Sequence, residues 1–277
     1  MKRLILMLIV LCLAAPMAMA GVPQKKPNAP KRENMDMTGC QLWGDVAIAK
    51  FYDYYADEKG GWELFCTSVY TFTEWGDVES FEFYNQHGER TCIRKHIYDE
   101  QGRTTETHIE WEDMSDTTYT TYTYDGAAIT TYQGGTIVTE RYNDYGDVVY
   151  CHTYGRETNT AETEEYIYHY DGENKVFCEY IINGEPVRRT IYGYDQVGNP
   201  IYEYRYFTTD EQPDLKFVYR NDKRGNSVEE IWYHRRDVES QRYTNKYDKQ
   251  GNVIEMISYP EGRSTPDRKT VTEITYR

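Results

Sequence analysis

The chain has 277 residues, with 46 Asp and Glu against 31 Lys and Arg, for a formal net charge of −15; that is too acidic for a nucleic-acid binder and disfavours anionic membrane surfaces. A mean hydropathy of −0.83 with 28% charged residues would ordinarily read as disorder, but 29 Tyr, 8 Phe and 5 Trp supply ample surface to bury. Beyond residue 20 there are only three Leu against fifteen Ile and fifteen Val, which excludes helix bundles, doubly wound α/β folds and polytopic membrane proteins and leaves a β-rich, water-soluble chain.

Residues 1–20 (MKRLILMLIVLCLAAPMAMA) have the layout of an export signal. Lys2 and Arg3 form a charged start, Leu4 to Ala15 an apolar run, and Ala18-Met19-Ala20 a small-x-small cleavage site. The run is short of the ~20 residues a spanning helix needs. Cys12 lies inside it behind the bulky Leu11, which argues against a lipidated cysteine. Export to the periplasm, cell surface or medium is the expectation, with no stable membrane span after cleavage, and loss of Lys2 and Arg3 takes the charge to −17. Residues 21–37 carry Pro23, Pro27 and Pro30 among Lys and Asn, the composition of a flexible linker. Residues 38–277 are then one repeat domain.

The repeat is Asp-x-x-Gly-Asn after an aromatic strand. Weak copies come first: Asp57 to Gly60, Thr73 to Gly76, Asn85 to Gly88, then Tyr98-Asp99 with Gly102, Asn143 with Gly146, and Asp171 with Asn174 in the glycine place. Three full copies follow: Asp195, Gly198, Asn199; Asp222, Gly225, Asn226; and Asp248, Gly251, Asn252. The Asp or Asn side chain can accept a backbone N–H two residues on. The fourth residue must take positive φ to swing the chain back, so Gly, or Asn174 as its best substitute, is expected there. The product is a β-hairpin with a bulge. Calcium binding would need three or more oxygens converging on one ion, and one Asp with one Asn per turn does not supply them. Asn183-Gly184, Gly134-Gly135, 209–213 and 260–263 mark turns at the opposite ends. Between Val46 and Tyr276 this gives roughly eighteen strands, predicting an all-β antiparallel hairpin meander that forms a coiled or spiralling sheet, since open sheets rarely exceed ~10 strands. The stretch 155–163, charged and with Ala161 as its one apolar side chain, is the best internal seam.

The Tyr-Asp-x-x-Gly-Asn copies resemble the YD/RHS-type repeats of large bacterial secreted and surface proteins, well over residues 165–277 and loosely over 46–164. That resemblance implies a spiralling hairpin sheet; its long members form shells or surface fibres, some around a C-terminal toxin. This chain is short and runs to a repeat-like strand, so the hairpin architecture is the part carried forward.

Five cysteines follow the leader: Cys40, Cys66, Cys92, Cys151 and Cys178. Repeat-equivalent cysteines would sit two strands apart, roughly 9–10 Å, beyond the ~7 Å a disulfide spans, so they read as small buried hydrophobes. No P-loop, Rossmann glycine pattern, zinc motif or nucleophile elbow is present, and no catalytic residue, metal or cofactor is assigned. The histidines are scattered. Glu162, Glu164 and Glu165 could pair for glycoside chemistry, but they read as a solvated edge in or beside a loop. The tyrosines are the constellation that remains: Tyr166, Tyr168 and Tyr170; Tyr192 and Tyr194; Tyr202, Tyr204 and Tyr206 each line one strand face. Cross-strand stacking in a sheet poor in aliphatics is the expectation. The alternative is an exposed ladder for sugar rings or peptide strands, with Tyr202, Tyr204 and Tyr206 as the candidate ligand face. The functional expectation is an exported, non-enzymatic binding or structural module for a glycan or an envelope protein. A glycan-active enzyme and a relative of toxin-encapsulating shells are the alternatives. Cleavage after Ala20 should give a mature N-terminus at Gly21 by mass spectrometry; an intact Met1 or a lipid on Cys12 would refute it.

Overall fold

The computed structural model describes residues 32–35, 40–112, 118–207, 212–234 and 237–277. Residues 1–31, which hold the expected export signal and most of the expected linker, lie outside them. Two short strands, β1 (Arg32–Met35) and β2 (Cys40–Trp43), pair as an antiparallel ribbon. Arg32–Met35 falls within the stretch 21–37 expected as a linker, and its pairing is through the backbone, which asks nothing of side-chain polarity. Eighteen longer strands follow: β3 (Val46–Ala56), β4 (Trp62–Phe72), β5 (Val78–Asn85), β6 (Arg90–Tyr98), β7 (Thr104–Trp111), β8 (Thr118–Asp125), β9 (Ala128–Gln133), β10 (Thr136–Tyr142) and β11 (Val148–Gly155). The second half holds β12 (Thr160–Asp171), β13 (Asn174–Ile182), β14 (Glu185–Tyr194), β15 (Pro200–Phe207), β16 (Leu215–Asn221), β17 (Ser227–His234), β18 (Asp237–Tyr247), β19 (Val253–Pro260) and β20 (Arg268–Tyr276).

Each of these strands pairs antiparallel with its chain neighbours, as the hairpin signals dictate. The open or spiralling sheet does not form: β20 pairs with β3 from Arg268↔Tyr55 to Tyr276↔Val46, closing an 18-stranded barrel. An open meander would leave β3 and β20 as bare edges, and their pairing satisfies both rows of backbone groups. The stretch 155–163 is no break in this ring. Its centre is the turn between β11 and β12, and Thr160 to Thr163 are already paired strand residues.

Among the described residues the Asx-turn geometry recurs in seven hairpins, and Thr73 makes the same bonds through its hydroxyl in an eighth. In the full copies, Asp195 Oδ1 accepts the Val197 and Asn199 N–H groups, each at 2.9 Å, Asp222 Oδ1 those of Arg224 and Asn226 at 2.8 and 3.1 Å, and Asp248 Oδ1 that of Asn252 at 2.8 Å. Asp99 does the same for Gln101 and Arg103. Gly102, Gly198, Gly225 and Gly251 take φ of +75°, +89°, +86° and +96°. Even the faint copies at Asp57 and Thr73 share the pattern. Asn174 is a correction: Gly172 carries the positive φ (+61°), Asp171 pairs directly with Asn174, and Asn174 is a strand residue. A glycine at the first central position suits a two-residue turn, which leaves no left-handed position for Asn174.

Cross-strand partners share a face all round the wall: Phe51 opposite Ser68, Ser68 opposite Phe83, Phe83 opposite Cys92, Cys92 opposite Trp111. This is the inner face. Its densest part is a cluster of Val46, Ala49, Phe51, Tyr70, Phe72 and Phe81, capped by Leu42 from β2. The outer face carries charges at mid-strand, among them Lys50, Glu82, Lys95, Glu165, Lys216 and Glu255, with ion pairs Arg220–Glu229 (2.7 Å) and Lys246–Glu255 (2.6 Å).

Replacing Gly251 with Ala should lower stability by about 1 kcal/mol, because open space surrounds it and only the left-handed backbone resists. Gly225→Ala should cost more, since its new Cβ would also meet the Asn199 carboxamide. Gly251→Asn should be milder. Thermal melts of the three variants check this order.

Candidate functional site

The tyrosines that precede the turns form a rim of latches at one end of the barrel. Among the described residues, six strand-end hydroxyls reach the turn one hairpin earlier or the residue just past it, while Tyr84 and Tyr142 bond instead to Glu82 and Glu140 on their own strands. Tyr98 donates to the Val78 carbonyl (2.5 Å), Tyr124 to Thr104 (2.6 Å), Tyr170 to Asp147 (2.5 Å) and Tyr194 to Lys175 (2.9 Å). Tyr247 donates to Asp222 and Tyr276 to Asp248. Burial, then the bond to Asp248, pushes the Tyr276 phenol up to about 12. Burial alone would raise the Asp248 carboxyl, but bonds from Tyr276 and Asn252 outweigh it and hold the group below its ordinary value. Asn252 is fully buried; its Nδ2 donates to the Trp43 carbonyl (2.9 Å) and its Oδ1 accepts the Trp43 N–H (2.5 Å), which fastens β2 to the rim. The turn residues singled out in the sequence thus build a scaffold.

The stripe Tyr202, Tyr204, Tyr206 lies on the outer face, half-buried. Tyr202 is opposite Gly193, and its ring fills the space a side chain there would occupy. Tyr202 and Tyr204 stack at 4.7 Å with planes 23° apart. The Arg189 guanidinium sits 4.6 Å from the Tyr206 ring centre. Ile191, Val218, Ile231 and Tyr233 continue the apolar surface across β14 to β17.

The inner wall at β10 to β14 holds a second aromatic series. Tyr166, Tyr168 and Tyr170 face inward along β12, with Tyr180 opposite Tyr166. Glu164 is a correction to the solvated-edge expectation: it lies inside β12, facing the lumen, and accepts the Tyr166 hydroxyl at 2.5 Å. Two strands away, Glu140 accepts from Tyr142 at 2.7 Å, and Cys151 stands between the two carboxylates in register. Their signal is in the sequence as Glu-x-Tyr on one face: Glu140-Arg-Tyr142 and Glu164-Glu-Tyr166. Arg188, beside Tyr180, carries no such mark. Cys66, Cys92, Cys151 and Cys178 lie on the inner face without forming disulfides; burial pushes Cys92 up to about 11. Among the described residues, no group of three or more His, Cys, Asp or Glu could hold a metal ion.

No protein-family model matches this sequence, and no curated protein does. Among solved structures, a porin-like protein from Bacteroides uniformis is similar at 12% identity over 83% of this chain and 96% of its own, with a TM-score of 0.45. A porin-like protein from Bacteroides vulgatus is 12% identical over 68% of this chain and 94% of its own, with a TM-score of 0.40. The TcdB2-TccC3-Cdc42 crystal structure matches 84% of this chain and 16% of its own length, at 12% identity and a TM-score of 0.31.

Within the wall, burial and then the Arg94 charge push the His96 imidazole down to about 4. Unfolded histidine titrates near 6.5, so this stabilising share is complete above pH 6.5 and is lost as pH falls from there towards 4. Urea midpoints at pH 7 and pH 5 should therefore differ less in His96→Gln than in the parent.

Proposed function

We propose that the protein is a non-enzymatic, exported binding module of the cell envelope that holds glycan against the outward platform of Tyr202, Tyr204 and Tyr206. One observation carries this reading: two tyrosine rings stack on the outside of a closed wall, one laid into the gap above Gly193. Rings already fixed lose little freedom when a sugar stacks on them. Lys216, 6.0 Å from the Tyr204 ring centre, and Arg189 flank the platform with hydrogen-bond donors. The charged exterior supports a water-facing wall, because Lys or Arg at mid-bilayer on a barrel costs about 2–4 kcal/mol each.

A glycan-active enzyme is the second reading. It draws support from Glu140 and Glu164, two strands apart and so roughly 9–10 Å between backbones, near the range of inverting carboxylate pairs. Each, however, accepts a hydrogen bond from the tyrosine two residues on. An acid and a base need unlike environments, and these two are closely alike, so binding is the better reading.

The triple variant Tyr202→Ser, Tyr204→Ser, Tyr206→Ser should keep a cooperative β-sheet melt and lose retardation in gels containing branched polysaccharides, which cannot thread a ring. A parent that no such polymer retards, or a folded variant retarded as before, would overturn the proposal.

A further inference from the structure

We propose that the lumen carries a second, separate site, which takes a single unbranched neutral glycan chain along the tyrosines of β12. The series starts at the rim. Tyr145, half exposed in the turn after β10, stacks on Tyr170 at 3.9 Å with planes 11° apart. Tyr168 follows at 6.1 Å, Tyr166 at 6.2 Å and nearly parallel, and Tyr180 stacks on Tyr166 at 5.0 Å. Five rings thus run without a break from the opening into the barrel. Two hydroxyls within the run are tied, Tyr170 to Asp147 and Tyr166 to Glu164, so these two rings are set before any ligand arrives.

The inner end supplies polar groups of both kinds. Arg188 Nε is buried and makes no hydrogen bond, although its guanidinium lies 5.2 Å from the Tyr180 ring centre. Arg188 as a whole is only half-buried, and a guanidinium carries five N–H donors that a ligand oxygen can accept from. Glu162, exposed on the same face, is an acceptor close enough to act on the Tyr180 phenol. Neighbouring sugar hydroxyls can accept from a guanidinium while donating to a carboxylate.

Charge selects the class of chain. A polyanion would meet Glu140, Glu162 and Glu164. A polycation would meet the positive charges of Lys175, 4.5 Å from the Tyr168 centre, and Arg188 beside Tyr180. A neutral chain avoids both conflicts. Eighteen strands give a wall roughly 86 Å around at normal strand spacing, and barrels of this strand number enclose a lumen rather than a filled core.

The test titrates the full mature protein, by calorimetry, with neutral unbranched oligosaccharides of two to six residues in β-1,4-glucan, chitin, xylan and α-1,4-glucan series. Affinity for one series should rise with length to four or five residues and then level off. Arg188→Met should weaken it at least tenfold, and Tyr145→Ala, a rim change outside the packed wall, three- to tenfold. The Tyr202/Tyr204/Tyr206→Ser variant should bind these short chains as the parent does, which separates this site from the outer platform. Absence of binding in every series would overturn the proposal. So would unchanged binding in Tyr145→Ala and a folded Arg188→Met, loss of binding in the outer variant alone, or tighter binding of uronic-acid or glucosamine oligomers.

Discussion

The barrel depends on turn carboxylates that are bonded on both oxygens. In Asp222 and Asp248 one oxygen closes the turn of its own hairpin, while the other accepts a phenol from the next strand pair of the rim. Hydrogen bonds to a charged group contribute about 1.5–3 kcal/mol, and here each also fixes the spacing of consecutive hairpins. That explains Tyr rather than Phe at positions 247 and 276, whose hydroxyls make these bonds. Equivalent turns lie two strands apart, and a phenol is long enough to span the gap with its ring on the inner face. The last latch joins Asp248, Asn252, Tyr276 and the Trp43 backbone, so the ribbon, the final hairpin and the final strand meet in one network.

A second economy concerns the basic residues. In a chain this acidic, many of them lie over aromatic rings: Arg103 over Tyr124, Arg141 over Tyr150, Arg224 over Tyr247, Lys269 over both Tyr54 and Trp62. Such contacts contribute about 0.5–1 kcal/mol each at exposed sites. They also screen the flat ring faces that an all-β wall would otherwise offer to aggregation. Tyr145 at the rim is stacked instead on another ring, that of Tyr170.

The hairpins were readable because each is specified within five residues, and the strand count between Val46 and Tyr276 came from the same local marks. Closure was not readable. It rests on β20 meeting β3, groups such as Arg277 and Asp45 that are 232 positions apart, and no turn encodes it. Asn174 shows the limit of local rules, because a glycine two residues earlier offered a shorter turn. Period-2 alternation put Tyr202, Tyr204 and Tyr206 on one face, and likewise Tyr166, Tyr168 and Tyr170, but alternation alone has no inside or outside. Only the ring sent the first set outward and the second inward. The pairing of Tyr180 with Arg188 depends on register across a hairpin and left no mark in the linear pattern.

The pairing of β20 with β3 also governs how the molecule is made. Every other ladder of the wall joins chain neighbours, so the meander can zip up strand by strand at small entropic cost. Closure must bring together strands separated by the whole wall, and by logarithmic scaling each doubling of loop length adds only about 0.6 kcal/mol. Its burden is kinetic: until β20 docks, β3 waits as an open template for any other strand, including the β20 of a second molecule. Two such chains can exchange final strands and close as an intertwined pair. Dilution during refolding therefore favours the single ring, and crowding of nascent chains favours the exchanged one.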